Sequence, residues 1–217
     1  MDFKFITDNW INAQKRINDR ANNIRFFKTH SVRGIINGNY FTNEDVCLGF
    51  IYLIRDPRDV AVSFSRHMGI TIDEAIEIML FKNNYLTSVF QVNEPVCTWF
   101  NHLESWTNFK TVSRLIIKYE DIVNNTPIIL NQIIEFLNKT GKMDINVKKD
   151  FLKNVLESTK FNRLQHLENT NGFKEASSHS KFFRKGELCQ WKKVLKADQL
   201  KLIEKELYKP MRMLNYL

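Results

Sequence analysis

The sequence predicts an α/β fold in which a parallel sheet is flanked by helices. Two nearly continuous apolar runs, VCLGFIYLI (residues 46–54) and RLIIKY (residues 114–119), are typical of strands buried on both faces. The first run leads directly to Asp56-Pro57, where an aspartate cap and a proline in the first turn favour the start of a helix. A buried strand that passes at once into a helix is the pattern of α/β proteins.

The remaining elements follow from hydrophobic periodicity and from turn residues. Residues 10–23 are polar with scattered apolar positions and predict only a weak helix, while residues 24–27 predict a short strand. PIILNQIIEFLNK (residues 127–139) predicts a long helix that ends at Gly141. Further helices are predicted at residues 72–85, 95–109, 147–156 and 198–208. The polar segment 169–187 is predicted to be mostly loop, and a loop of that length is usually functional or mobile.

Length and composition predict a single domain, residues 1–217, that has an anionic partner. The chain is 43% hydrophobic, enough for one sizeable core, and its 32 Lys and Arg against 24 Asp and Glu give a net charge of +8. Charge alone leaves nucleic acid, a membrane surface and a phosphorylated small molecule open. We expect neither nucleic acid nor membrane, because the sequence has no nucleic-acid recognition motif and no apolar run long enough to span a bilayer. Three widely spaced cysteines argue against a metal site or a disulfide framework and favour a reducing, cytoplasmic setting.

The strongest local signal is YLIRDPRDVAVSFSRH, residues 52–67, at the predicted strand-to-helix junction. Ligands of open α/β sheets bind outside the carboxyl ends of the strands, where Arg55 stands and where a guanidinium group can bind a phosphate with two hydrogen bonds. Ser63 on the following helix can add a hydroxyl donor. The alternative is purely structural: the junction only begins a helix, and Arg55 pairs with Asp59.

Two further segments carry candidate chemistry. Lys28-Thr29-His30 follows a predicted strand and places a cation beside an imidazole that can take up a proton near neutral pH. An isolated histidine is more often structural or solvated, and that alternative stays open for His30. FFRKG, residues 182–186, places two cations and a flexible glycine in the long polar loop, where they can close over an anion. Taken singly, an ordinary basic surface loop is the simpler explanation for that segment.

The order and spacing of these segments resemble the cytosolic-type sulfotransferase family, which uses 3′-phosphoadenosine 5′-phosphosulfate (PAPS). KTH is similar to the family's Lys-Thr-His element, and RDPRDVAVSFSRH to its 3′-phosphate-binding strand and helix. IIKYEDI followed by IIEFL is similar to its central Tyr-Glu-Asp segment, and FFRKGELCQWK to its late Arg-Lys-Gly loop. Four motifs in the right order are far more specific than any one of them. The resemblance covers residues 24–195 and implies a P-loop NTPase-like sulfotransferase fold.

The resemblance implies a role for individual residues. The residues it implies for binding the 3′-phosphate of PAPS are Arg55, Ser63, Arg184, Lys185 and Gly186. The residues it implies for contacting adenine are Tyr119, Thr159 and Phe161. It implies that His30 is the general base that deprotonates the acceptor and that Lys28 stabilises charge on the transferring sulfuryl group. The expected reaction moves a sulfuryl group from PAPS to a hydroxyl or amine of a small-molecule or carbohydrate-like acceptor.

The chain departs from the family pattern in three respects. The Pro-Lys-Ser-Gly-Thr-Thr-Trp-like loop that holds the 5′-phosphosulfate is not found among the 27 residues before Lys28, and residues 1–23 contain no glycine. The first strand and the P-loop are therefore expected to be missing, which would expose a hydrophobic sheet edge. Their absence favours the alternative of a catalytically silent or split-gene remnant that only binds adenosine 3′,5′-bisphosphate. Cys189-Gln190 stands where the family has Gly-Asp before Trp191, and the family's dimer motif is absent, which leaves the oligomeric state open.

Overall fold

The computed structural model describes residues 2–20, 24–82, 84–87, 93–145 and 149–217. The strands in this part of the chain are β1 (Ile35–Ile36), β2 (Asn39–Tyr40), β3 (Gly49–Ile54), β4 (Tyr85–Thr87), β5 (Asn93–Pro95) and β6 (Ser113–Lys118). The helices are α1 (Phe3–Asp19), α2 (Pro57–Met68), α3 (Ile72–Phe81), α4 (Trp99–Thr107), α5 (Tyr119–Gly141), α6 (Lys149–Ser158), α7 (Phe161–Asn171), α8 (Trp191–Val194), α9 (Ala197–Glu206) and α10 (Tyr208–Met213).

The two apolar runs form the predicted parallel sheet. Strands β3 and β6 pair in parallel from Gly49 opposite Ser113 to Ile54 opposite Lys118. The chain between them contains α2, α3 and α4, as parallel pairing requires a long crossover. Because the two strands end in register, the residues that follow them leave the sheet side by side at its carboxyl edge. The predicted α/β architecture is confirmed.

Helices cover the two faces of this sheet unequally. On one face Phe50 stacks on Phe109 with ring centroids 6.0 Å apart, and it also contacts Trp106 at 5.0 Å. On the other face α5 lies so close that a Cβ atom on Gly49 would approach Thr140 to 2.9 Å. The close approach explains why a glycine begins the strand.

Several apolar side chains of the sheet face solvent. Leu53 is 62% exposed, Ile116 is 39% exposed and Ile51 is 36% exposed. The expectation that both faces of these strands are buried is therefore wrong. These side chains point from the faces of the sheet, so they do not test the expected exposure of its edge. Within the described residues, the parallel sheet has only these two strands, and a pair of strands cannot bury both of its faces and both of its edges.

The main core lies between α2, α3 and the helices at the C-terminal end of the chain. Its buried members are Ala61, Ile76, Met79, Ile203, Leu207 and Met211. Asp56 caps α2 by accepting a hydrogen bond from the Arg58 backbone N–H, as its position before Pro57 predicts. The Arg58 guanidinium donates to both carboxylate oxygens of Asp56, to Glu204 and to the backbone carbonyl of Tyr216. These contacts tie the C-terminal end of the chain to the start of α2.

The N-terminal part of the chain differs from the sequence prediction. The helix predicted at residues 10–23 is observed over residues 10–19 as part of α1, and residues 21–23 lie outside the described residues. Helix α1 already begins at Phe3, because the Asp2 side chain accepts a hydrogen bond from the Lys4 N–H and caps it. Residues 24–32 belong to neither a helix nor a strand, so the predicted strand at 24–27 is wrong. An isolated extended segment gains no sheet hydrogen bonds, whatever its β-propensity.

Other predicted boundaries shift by several residues. The helix predicted at 72–85 ends at Phe81, and the one predicted at 95–109 begins at Trp99, where the Thr98 side chain caps it. Helix α5 begins before the predicted 127–139 span and is broken at Asn125, just ahead of Pro127. Helix α7 was not predicted at all. No helix in the part of the chain described here is both long and apolar enough to cross a membrane.

Candidate active site at the carboxyl edge of the parallel sheet

Arg55 and Tyr119 meet where the two parallel strands end. The guanidinium carbon of Arg55 lies 4.5 Å from the centroid of the Tyr119 ring, in cation–π contact. One Arg55 nitrogen, Nη2, lies 3.2 Å from the Glu187 carbonyl oxygen and 3.4 Å from Asp59 Oδ2. The Arg55 side chain is 20% exposed, and its buried Nε has no acceptor among the described residues, so the hydrogen-bonding capacity of the guanidinium is not exhausted. The pairing of Arg55 with Asp59 therefore exists but does not occupy the whole group.

Asp59 also anchors the late Arg-Lys-Gly loop to α2. Its side chain is only 2% exposed, and its two carboxylate oxygens accept hydrogen bonds from the backbone N–H groups of Cys189 (2.8 Å) and Trp191 (3.0 Å). Hydrogen bonds to an ionised, buried acceptor are the strong ones. Asp59 thus holds the end of the loop beside Arg55. The sequence prediction considered Asp59 only as a partner of Arg55, and its contact with the loop was missed.

The start of the same loop is held by α7. Gln165 Nε2 donates to the carbonyl oxygens of Phe183 (2.8 Å) and Arg184 (3.0 Å). The buried Glu168 carboxylate accepts from the backbone N–H groups of Phe182 (2.7 Å) and Phe183 (2.8 Å). Because side chains from α7 and α2 hold opposite ends of the loop, Arg184 is placed between the two helices.

Arg184 of the loop lies close to Arg66 of α2. The guanidinium groups of Arg184 and Arg66 both donate to the side-chain oxygen of Gln190, with Arg66 Nη1 at 3.2 Å. Burial lowers the pKa of Arg184, the positive charge of Arg66 lowers it further, and Glu187 opposes these effects. Ser63 is exposed on α2 between Asp59 and Arg66, at helical spacing from both. The structure therefore brings together the predicted Arg55, Ser63 and Arg184, and it adds Arg66 and Gln190.

The predicted adenine contacts are only partly brought to the loop. Gly186 has φ of 65°, and a Cβ atom there would lie 2.6 Å from Phe161 Cδ2, so the Phe161 ring packs directly against the loop backbone. Thr159 lies at the end of α6, exposed, and its hydroxyl donates to the Val155 carbonyl oxygen at 2.8 Å. The Lys185 ammonium group is also exposed and lies 4.0 Å from a Glu187 carboxylate oxygen.

Lys28 and His30 lie on the irregular segment before β1. The Lys28 ammonium group pairs with the Glu175 carboxylate of the loop, so its charge is partly compensated. The backbone of His30 is held on both sides: its N–H donates to Glu94 Oε2 at 3.1 Å, and its carbonyl oxygen lies 3.2 Å from His102 Nε2. The His30 side chain itself is exposed. These contacts position the His30 backbone and leave the imidazole open to a ligand.

His102 is engaged at both of its ring nitrogens. Since Nε2 faces a carbonyl oxygen, it carries the proton, and Nδ1 then accepts from the Tyr52 hydroxyl at 2.8 Å. Burial lowers the pKa of His102 and raises that of Tyr52, so both groups are neutral at physiological pH. An imidazole that already donates and accepts is a structural group, so His102 is not free to act as a base.

The described residues suit one end of a nucleotide bisphosphate better than the other. Arg55, Arg66 and Arg184 gather positive charge, and Arg55 keeps a buried donor without an acceptor, which fits a phosphate dianion. For a 5′-phosphosulfate, a glycine-rich turn at a helix N-terminus would be suitable. In residues 2–20 and 24–32, before β1, the structure shows α1 and an irregular segment rather than such a turn.

Comparisons with known proteins show which family the chain is similar to. The sulfotransferase domain family matches residues 4–213 of the chain. A 3-alpha-hydroxysteroid sulfotransferase of Cavia porcellus is 29% identical over 190 residues, which are 83% of this chain and 61% of the relative. Sulfotransferase 2A1 of Mus musculus is 28% identical over 191 residues, with the same coverage of 83% and 61%. The chain thus spans about three fifths of the length of these relatives.

Solved structures share the fold. The mouse sulfotransferase SULT7A1 complexed with PAP superimposes with a TM-score of 0.55 at 23% identity, over 75% of this chain and 58% of the other. Retinol dehydratase in complex with androsterone and the inactive cofactor PAP gives a TM-score of 0.55 at 20% identity, over 74% of this chain and 46% of the other. Since the family match extends over nearly the whole chain, the chain belongs to the sulfotransferase domain family.

Proposed function

We propose that this chain binds the 3′-phosphate of an adenosine nucleotide at the carboxyl edge of its sheet. We propose further that it transfers a sulfuryl group from PAPS to a hydroxyl or amine acceptor. The observation that carries the proposal is the placement of Arg55 and Arg184. Arg55 contacts Asp59 of α2, and the Arg184 backbone is bound by Gln165 of α7. Two solved structures of the same fold are described as complexes with PAP, the bisphosphate product of such a transfer. The Arg55 side chain is 20% exposed and its Nε has no acceptor among the described residues, which supports a guanidinium with unused donors at this site.

The proposed site divides into three parts. The 3′-phosphate would be bound by Arg55, Ser63, Arg184, Lys185 and Gly186. The adenine would be contacted by Tyr119, Thr159 and Phe161. His30 would take the proton from the hydroxyl or amine of the acceptor molecule. The oxygen or nitrogen of that group forms the new bond to sulfur, while the bond from sulfur to the 5′-phosphate oxygen breaks. Lys28 would stabilise charge on the transferring sulfuryl group once it is released from Glu175.

The alternative function is binding of adenosine 3′,5′-bisphosphate without transfer. Two observations favour it: the region before Lys28 offers α1 rather than a glycine-rich turn in its described residues, and Lys28 is paired with Glu175. Removing even one preorganised donor from a transition-state site typically costs about 10²–10³ in rate. Turnover measured with PAPS separates the two functions, since nucleotide binding is common to both.

The acceptor and the setting are also proposals. A relative named for hydroxysteroids supports a small hydroxylated acceptor, and a carbohydrate-like acceptor is the other class to test. The three cysteines are free, which supports a reducing, cytoplasmic compartment. That a single domain extends over residues 1–217 remains a prediction.

Titration calorimetry with adenosine 3′,5′-bisphosphate tests the nucleotide site. Arg55→Ala and Arg184→Ala each remove a charge-assisted hydrogen bond of about 1.5–3 kcal/mol, so each should weaken binding by about 10- to 150-fold. Arg16→Ala, which removes an exposed arginine from the last turn of α1, is the matched control and should bind like the wild type. Wild-type affinity in both site variants, or equal wild-type affinity for adenosine 5′-phosphate, contradicts the assignment.

A further inference from the structure

One face of α2 is turned toward the late loop along two helical turns. Asp59, Ser63 and Arg66 lie on this face at helical spacing, and its two ends are fixed by contacts with the loop. Asp59 accepts hydrogen bonds from the loop backbone, and Arg66 donates to the Gln190 side chain. Arg66 is therefore on the same side of α2 as the serine of the proposed phosphate site.

Arg66 and Arg184 depend on one neutral acceptor. The Gln190 side-chain oxygen accepts from both guanidinium groups, while its amide nitrogen donates to the Glu187 carbonyl oxygen at 3.0 Å. Two like charges that share an uncharged acceptor repel each other; after burial, the charge of Arg66 is the next cause that lowers the pKa of Arg184. Within the described ranges, neither arginine forms an ion pair with a carboxylate. The pair carries a surplus of positive charge that an anion would neutralise.

A cleft opens beside this arginine pair. It has a volume of about 570 Å³ and is bordered by Arg66, Arg184, His179 and the polar residues Ser65 and Ser180. None of the residues that line it is acidic. The Ser65 hydroxyl already donates to the Ile70 carbonyl oxygen at 2.8 Å, so the donors that suit an oxyanion are the two guanidinium groups and the Ser180 hydroxyl.

We infer that Arg66 is a further anion-binding residue of this site, and that a phosphate group replaces the Gln190 amide oxygen as the shared acceptor of Arg66 and Arg184. The inference rests on the proposed function, because the anion it assigns is the 3′-phosphate of the nucleotide. Gln190 holds the two guanidinium groups close to one acceptor before the ligand arrives, which lowers the ordering cost of binding. A neutral side chain suits this purpose, since a carboxylate at the same place would compete with the ligand.

Two variants test the inference from opposite directions. Arg66→Ala removes one of the two charged donors and should weaken adenosine 3′,5′-bisphosphate about tenfold or more, while binding of adenosine 5′-phosphate stays unchanged. Gln190→Glu puts a carboxylate between the guanidinium groups and should weaken the bisphosphate by a similar factor. The glutamate variant adds an ion pair, so its thermal unfolding midpoint should equal or exceed that of the wild type. Its loss of affinity cannot then come from misfolding.

The outcomes separate this inference from the proposed function. Both nucleotides are titrated by calorimetry against the wild type, Arg66→Ala, Gln190→Glu and the control Arg16→Ala. A wild type that does not prefer the bisphosphate overturns the proposed function and the inference with it. A wild type that prefers the bisphosphate, together with normal affinity in Arg66→Ala and Gln190→Glu, overturns the inference alone.

Discussion

Replacing Asp59 by asparagine should release the late loop from α2. The substitution keeps the size of the side chain but leaves one acceptor oxygen where the carboxylate has two. In the wild type those oxygens accept from Cys189 N at 2.8 Å and Trp191 N at 3.0 Å. One backbone N–H must therefore face an amide NH₂ group in the variant. The remaining hydrogen bond loses its charge assistance.

The size of the effect follows from these two contacts. A hydrogen bond to a charged group contributes about 1.5–3 kcal/mol, and a buried donor left without a partner costs about 1–3 kcal/mol. Cys189 is exposed, so water can reach its N–H once the loop moves, which places the total near the lower end. We expect the free energy of opening of this loop end to fall by roughly 2–4 kcal/mol.

Amide hydrogen exchange measures this opening directly. A fall of that size corresponds to exchange that is about 30- to 1,000-fold faster at the Cys189 and Trp191 amides. The same variant should also bind adenosine 3′,5′-bisphosphate more weakly, because Arg184 and Gly186 lose their fixed position. Asp144→Asn, which removes an exposed carboxylate after α5, is the matched control. Unchanged exchange at both amides together with wild-type affinity would refute the role of Asp59 as an anchor.

Three further predictions concern the base, the loop glycine and the buried histidine. In a form of the protein that turns over PAPS, His30→Ala should lower turnover by about 10²–10⁴ and leave nucleotide affinity nearly unchanged. Unimpaired turnover contradicts the base role, and joint loss of binding and stability favours a structural one. Gly186→Ala should weaken bisphosphate binding and destabilise the loop by about 1 kcal/mol or more, because φ is 65° and the new Cβ would meet Phe161 at 2.6 Å. Calorimetry measures the change in binding, and urea unfolding measures the change in stability. Because burial lowers the folded-state pKa of His102, the unfolded chain binds the proton more readily, so stability is full above about pH 6.5 and falls as the pH drops below it. His102→Gln should flatten that decline in urea unfolding between pH 7.5 and 5.5, and an equally steep decline in the variant would show that other groups cause it.

Elements and site residues that follow one another directly in the chain could be predicted from the sequence. The apolar run before Arg55 indicated a strand, and the Asp56-Pro57 pair indicated the helix after it; both are observed. Strand burial was predicted too strongly, since Leu53 remains exposed. Periodicity reports which face of a strand is apolar, but not whether another element covers that face.

Helix α7 was missed because its sequence, FNRLQHLENTN, is polar and shows little amphipathic pattern. Its place in the structure depends on Gln165 and Glu168, which bond to the backbone of the late loop. Propensity scales describe a segment in isolation, and tertiary contacts of this kind override them.

The sequence by itself determined the α/β class, the order of the four motifs and, through them, the family and the predicted site residues. Only the tertiary structure decided which of these residues meet, since Arg66 and Gln190 are 124 residues apart, and Asp59 and Trp191 are 132 apart. No local pattern encodes such a contact, because it depends on where a long loop crosses a helix. That crossing is set by buried polar groups, which must find partners wherever the folded chain brings them. The contact of Arg66 and Arg184 with Gln190 is therefore a property of the fold and cannot be read from the sequence, although all three residues can.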